Sequence, residues 1–393
     1  MSESQHPKPP QAGTLVGNLG EPIKLTELQL NGVSAEAARP GQPIKVWTRL
    51  GTTSDDMSFH TIVEGLANHL RHRANQAGHF IDLTKHDCVL LVIHPDNTGE
   101  LWLDKAAISI NVIVKIPVQA GSPVFENDIA DVTAMSFPLV NIKKEDRVLC
   151  IFREGWRFGL FFDLNPSGDF SVDNMERDLG TIFRTIKYRD LYDAISNQSV
   201  FDTLISAGWF PFVEIAGQEF RTLADCCKAG IDLIDHENQI IKSFDTSRIE
   251  RMFARWLAKP HFAGKETILR SALRNYAAGD SIAVLKIVLT EIEGILRDAY
   301  RTKNGSSAKL EKLLEFAINS AERKSGGADT LLLPTAFARY LQLNTFANFD
   351  PDTGGATSCS RHAIGHGAAG AETYTQVRAL QSLLTLDQLA FYT

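Results

Sequence analysis

Ile282, Leu285, Leu289, Ile292 and Leu296 recur at intervals of three and four residues, which lines five apolar side chains along one stripe of an α-helix. Such a helix is stable only when that stripe lies against other apolar faces. The neighbouring sequence supplies them. Ile268, Leu269, Ala272, Leu273 and Tyr276 share a helix face that ends at Ala278-Gly279-Asp280, a helix-stop signal. Leu310, Leu313, Leu314 and Ala317 mark a third helix, and Phe337, Tyr340 and Leu341 a fourth. Val377, Leu380, Leu383, Leu384 and Leu389 mark a last one. Helices joined by short loops and burying such stripes form a bundle. Residues 261–393 are therefore read as an all-α C-terminal helical bundle, bounded by Lys259-Pro260-His261 because proline disfavours helix in the residue before it.

The signal upstream is different. Cys88–Ile93, Ala107–Ile116 and Val148–Phe152 read as strands, the second with Ile108, Ile110, Val112, Val114 and Ile116 on one face. Asp96-Asn97-Thr98-Gly99 is a hairpin turn by composition, since Asn and Gly accept positive φ. Trp156–Phe162 forms a further strand, joined to Val148–Phe152 through Arg153-Glu154-Gly155. Helices are expected at Phe59–Arg73 and Met175–Ile195. Residues 23–198 are thus expected to form an α+β domain of open strand order. Residues 199–260 read as a helical connector, interrupted at Trp209-Phe210-Pro211-Phe212. The proline-rich stretch 1–22 has no apolar core of a leader or anchor and reads as a disordered lead.

No apolar run approaches the ~20 residues that cross a bilayer. The five cysteines are odd in number and contain no Cys-x-x-Cys pair, which argues for a reducing compartment and against a disulfide framework. A cytoplasmic protein without membrane contact is expected. The net charge of −7 speaks against nucleic-acid binding at first sight. Residues 261–393, however, hold 14 Lys+Arg against 13 Asp+Glu, so the remaining 26 against 34 carry the whole acidic excess. A near-neutral bundle can hold RNA through a few local cations.

The cluster with chemical content is Ser360-Arg361-His362-Ala363-Ile364-Gly365-His366-Gly367. Imidazole, with a pKa near ~6.5, both takes and gives a proton at neutral pH. A guanidinium grips phosphate oxygens in a planar fork and neutralises charge that develops in a transition state. RNA carries its own nucleophile in the 2′-hydroxyl, so neither a metal nor a protein nucleophile is needed.

An arginine, one polar residue, three arbitrary residues and a histidine, set in a C-terminal helical bundle, is the pattern of HEPN domains (higher eukaryotes and prokaryotes nucleotide-binding). Arg361, His362 and His366 match its three positions. The His366-Gly367 pair and the Leu-rich closing helix also resemble HEPN proteins of the uncharacterised and phage-defence type. Gly279-Asp280-Ser281 leading to Ile292-Glu293-Gly294-Ile295-Leu296 resembles the second helix of that group. The likeness covers roughly the last 130 residues. It implies a metal-independent endoribonuclease without cofactors, acting on RNA in toxin-like or antiviral defence. It also implies a homodimer formed through the bundle. Five residues at ~100° each set Arg361 and His366 ~140° apart on a helix, so two copies must meet for both to reach one cleft. In that reading His366 is the general base or acid, Arg361 binds the scissile phosphate and His362 assists. Glu293 is the acidic residue placed to reach Arg361. The implied products are a 2′,3′-cyclic phosphate and a 5′-hydroxyl.

Blander readings stand beside this one. Arg361 can serve only to pair a carboxylate, and His362 and His366 can be ordinary helix-face residues. Many HEPN domains are inactive modules for dimerisation and for RNA or nucleotide binding. Cys359, His362 and His366 have zinc-ligand spacing but lack a fourth ligand nearby. The aromatic residues Trp156, Phe158, Phe161 and Phe162 suggest core packing more than a base-stacking platform. His60, His69 and His72 are expected at the surface, and Cys226-Cys227 as core or boundary residues.

Overall fold

In the run Cys88–Ile93 every residue is buried, which requires apolar cover on both faces of its sheet. The computed structural model describes residues 17–347 and 360–393 and divides into two compact units. The first, chiefly residues up to Tyr188, contains β1 (Ile23–Leu25), β2 (Arg49–Thr53), α1 (Met57–Gln76), β3 (Cys88–Ile93) and β4 (Gly99–Leu103). There follow in the chain β5 (Ser109–Val114) and β6 (Ile129–Ser136), whose residues divide between the two units, and then β7 (Arg147–Glu154), β8 (Arg157–Asp163) and α2 (Val172–Lys187) of the first. Six strands form an antiparallel sheet in the order β1-β4-β3-β7-β8-β2, and β5 and β6 form a separate ribbon. Alternation along β3 explains the cover. Val89, Leu91 and Ile93 meet Ile62, Leu66 and Leu70 of α1 in one core. Cys88, Leu90 and Val92 share a second core with Met175, Leu179 and Ile182 of α2. The β3–β4 hairpin turns at Asn97, whose φ is +64°, and Gly155 takes φ +62° between β7 and β8.

The second unit comprises residues 113–117, 125–131 and 189–393. Its helices are α3 (Arg189–Ser196), α4 (Gln198–Ser206), α5 (Gln218–Ala229), α6 (Ile234–Ser243) and α7 (Thr246–Leu257). They continue with α8 (Pro260–Ala263), α9 (Glu266–Ala277), α10 (Ser281–Asn304), α11 (Leu310–Ser325) and α12 (Pro334–Tyr340), then a π-helical turn at Leu341–Thr345. The last two are α13 (Arg361–Gly365) and α14 (Gln376–Tyr392). The chain is thus a sheet-containing N-terminal part followed by a mostly helical C-terminal part. No helix among the described residues is long and apolar enough to cross a membrane.

The helix expected over Met175–Ile195 is two helices, α2 and α3, meeting at Tyr188. Neither glycine nor proline marks that break in the sequence. Ile268 and Ile282 are 44% and 50% exposed, so the buried apolar stripes begin at Leu269 in α9 and at Val284 in α10. Trp156 is 72% exposed at the β7–β8 turn, with the Arg157 guanidinium 4.0 Å over its ring. It does not pack in the core, whereas Phe161 and Phe162 do. Cys226 is buried and Cys227 half-buried.

α14 is the centre of the second unit. Every residue from Ala379 to Tyr392 is buried, including Gln381, Ser382, Thr385, Asp387 and Gln388. A helix enclosed on all sides must satisfy its polar side chains internally. Arg255 Nη2 donates to both Asp387 oxygens at 2.7 and 2.8 Å, and Trp256 Nε1 donates at 2.7 Å. Burial pushes the Asp387 carboxyl up to about 6, with Arg255 opposing. Gln388 accepts from the Val213 amide and Gln381 donates to the Ala207 carbonyl.

Candidate functional site

α13 is held by its apolar side and its caps. Ala363 and Ile364 are buried, and the Ser360 hydroxyl, also buried, accepts from the Ala363 amide at 3.3 Å, an N-cap bond. At the other end Gly367 has φ +69°. Its amide donates to the Ile364 carbonyl at 3.2 Å and the Ala368 amide donates to the Ala363 carbonyl at 2.8 Å. These two bonds form a Schellman stop. The glycine-rich sequence therefore makes a defined helix end, with His366 as the C-cap and only Gly367 in the left-handed region. The motif helix is short for a constructive reason.

Arg361 begins this helix and reaches α10. Its Nη1 lies 2.7 Å from Glu293 Oε2. Arg297, one turn further along α10, donates its Nη2 to Glu293 Oε1. One carboxylate therefore lies between two guanidiniums, a local excess of one positive charge. The Glu293 side chain is 12% exposed, against 32% for Arg361 and 40% for Arg297. The cations thus keep an open side while their common anion is mostly enclosed. A guanidinium held this way has its direction fixed and retains donors for a second anion.

His362 and His366, at i and i+4, stack nearly parallel, with ring centroids 6.5 Å apart and an angle of 9°. His362 is half-buried and His366 exposed. The structure brings Arg361 of α13 to Glu293 of α10, and His362 to His366 along α13. No hydrogen bond or ring contact joins Arg361 to His366 among the described residues, in keeping with the ~140° that separates their positions on a helix.

Arg297 was not singled out in the sequence. Its position four residues after Glu293 was the available signal, since i, i+4 Glu–Arg pairs favour each other on helices. Cys359 of the zinc-spaced triplet and the loop Asp350–Ser358 lie outside the described residues, as do residues 1–16. Among the described residues no group of three His, Cys, Asp or Glu side chains is placed to hold a metal ion. His60 and His72 are exposed, while His69 is half-buried. No family model, curated protein or solved structure matches this chain.

Proposed function

We propose that this chain is a metal-independent endoribonuclease of the HEPN type, active as a homodimer through its helical C-terminal part. The observation that carries the reading is the fixing of Arg361 by Glu293 on the short helix that also carries the stacked pair of half-buried His362 and exposed His366. In the proposed reaction His366 takes the proton of a ribose 2′-hydroxyl, whose oxygen then attacks the adjacent phosphorus. Arg361 binds the non-bridging oxygens and offsets the charge that accumulates there. The P–O5′ bond breaks, and an imidazolium returns a proton to the leaving 5′-oxygen. The products are a 2′,3′-cyclic phosphate and a 5′-hydroxyl. His362, stacked on His366, orients it or relays the proton. Two copies related by a two-fold axis supply both Arg361 and His366 to one cleft. A role in toxin-like or antiviral defence extends the same family resemblance.

A second reading rests on the same ion pair. Glu293 offsets Arg361, and a guanidinium engaged in this way also suits a non-catalytic module that dimerises and holds RNA or a nucleotide. Incubation of total RNA with the protein in excess chelator separates the two. Cutting by the parent that is lost in both His366→Ala and Arg361→Ala, with dimerisation retained, supports the enzyme. Absence of cutting by the parent favours the module, and cutting abolished by chelator defeats metal independence.

A further inference from the structure

The last turns of α10 and the exposed face of α11 enclose an open cleft of about 340 Å³. Tyr300, Lys303 and Asn304 line it from α10, at i, i+3 and i+4. Lys312, Glu315, Phe316, Asn319 and Arg323 line it from α11, a complete helix face. Neither lysine nor Arg323 makes an ion pair among the described residues. Glu315 is the one carboxylate on the lining. Tyr300 and Phe316 meet edge to face, with ring centroids 5.5 Å apart and an angle of 78°, and both rings are only half-buried.

The cleft continues the candidate site. Glu293, Arg297, Tyr300 and Asn304 follow each other at i, i+4, i+7 and i+11, one face of the same helix. At ~1.5 Å per residue, Tyr300 stands ~10 Å along α10 from Glu293, a step on the scale of nucleotides in a strand. A path therefore leads from the Arg361–Glu293–Arg297 cluster, past an aromatic pair, to three unpaired cations and two side-chain amides. Cations along a groove with half-exposed aromatic rings are the means by which single strands are held without sequence readout.

We infer that the α10–α11 cleft is the track for single-stranded RNA leading to the Arg361/His366 site. The phosphates lie along Lys303, Lys312 and Arg323, and a base stacks on Tyr300 or Phe316. This rests on the nuclease reading and adds the surface that would guide its substrate.

The test uses the full chain and a fluorescent, fully 2′-O-methylated single strand of about 12 nucleotides, which lacks the nucleophile for cleavage. Anisotropy titrations over a range of KCl compare the parent with Lys303→Gln/Lys312→Gln/Arg323→Gln and with Glu315→Gln. Unmodified RNA is assayed for cutting in parallel. The triple variant is expected to bind at least about tenfold more weakly, with the slope of log K against log salt flattened by about 2, as removal of three single-strand phosphate contacts requires. Glu315→Gln is expected to bind a few-fold more tightly. Parent-like affinity and slope in the triple variant, with cutting intact in the parent, would overturn the track and leave the nuclease reading standing. A parent that neither binds nor cuts would remove both. If the triple variant does not fold, Glu315→Gln decides, and unchanged binding rejects the track. Displacement of the strand by poly-glutamate at equal charge concentration would assign the cleft to an acidic polypeptide instead.

Discussion

Replacing Glu293 by Gln removes the charge that two guanidiniums share. Each charge-assisted bond would contribute ~1.5–3 kcal/mol if fully buried. Arg361 and Arg297 are 32% and 40% exposed, so solvent reduces each to roughly 1 kcal/mol or less. The expected loss is ~1–2 kcal/mol, which for a cooperative unit of this size lowers Tm by about 2–8 °C. A double-mutant cycle with Arg361→Gln isolates the link between α13 and α10. Chemical denaturation of the four proteins should give a coupling near ~1 kcal/mol. Cleavage by Glu293→Gln should fall about 10- to 100-fold, because a misaimed phosphate-binding group costs that much in positioning. Additivity of the two substitutions within ~0.3 kcal/mol would refute the anchoring role. Faster cleavage would show Glu293 competing with the phosphate for Arg361.

Three further outcomes follow from particular contacts. Asp387→Asn leaves Arg255 with Glu214 as its remaining carboxylate partner and should cost ~1–3 kcal/mol, read from the urea midpoint; a loss under ~0.5 kcal/mol would contradict the pairing. Gly367→Ala forces a side chain into the left-handed region at ~1–2 kcal/mol and should lower cleavage by displacing His366, while Gly365→Ala, outside that region, should do neither. Burial, reinforced by Lys259 and Lys324 and opposed by Asp298, lowers His261 from 6.5 to about 4. Between those values the unfolded chain binds a proton that the folded chain does not, so stability should fall as pH drops from 6.5 towards 4. His261→Gln should flatten that part of the stability–pH curve, and an unchanged slope would exclude His261 as its source.

The sequence carried those elements whose side chains follow one period. β3 was readable as a strand because six consecutive apolar residues have no other compact use, and α10 because its stripe runs the length of the helix. β2, Arg-Leu-Gly-Thr-Thr, has no such pattern; as an edge strand paired only with β8 it needs little apolar character. β1 and β6 were likewise not readable from periodicity. The break between α2 and α3 leaves no glycine or proline. α14 was legible as a helix but not as an enclosed one, because Arg255 and Trp256, which satisfy Asp387, stand more than 130 residues away in sequence. At the site, the shared face of His362 and His366 followed from spacing, whereas Glu293 as the partner of Arg361 was expected only within the family resemblance. The second guanidinium and the α11 cations followed from neither, since a contact between helices has no local signature.

The most direct test mixes two inactive proteins. Arg361→Ala and His366→Ala subunits, refolded together, give heterodimers that carry one arginine and one histidine drawn from different copies. If two copies build one cleft, RNA cleavage in excess chelator should reappear in the mixture and rise with the heterodimer fraction, ending in 2′,3′-cyclic phosphates. A parent that cuts while every proportion of the mixture stays silent would contradict the shared cleft.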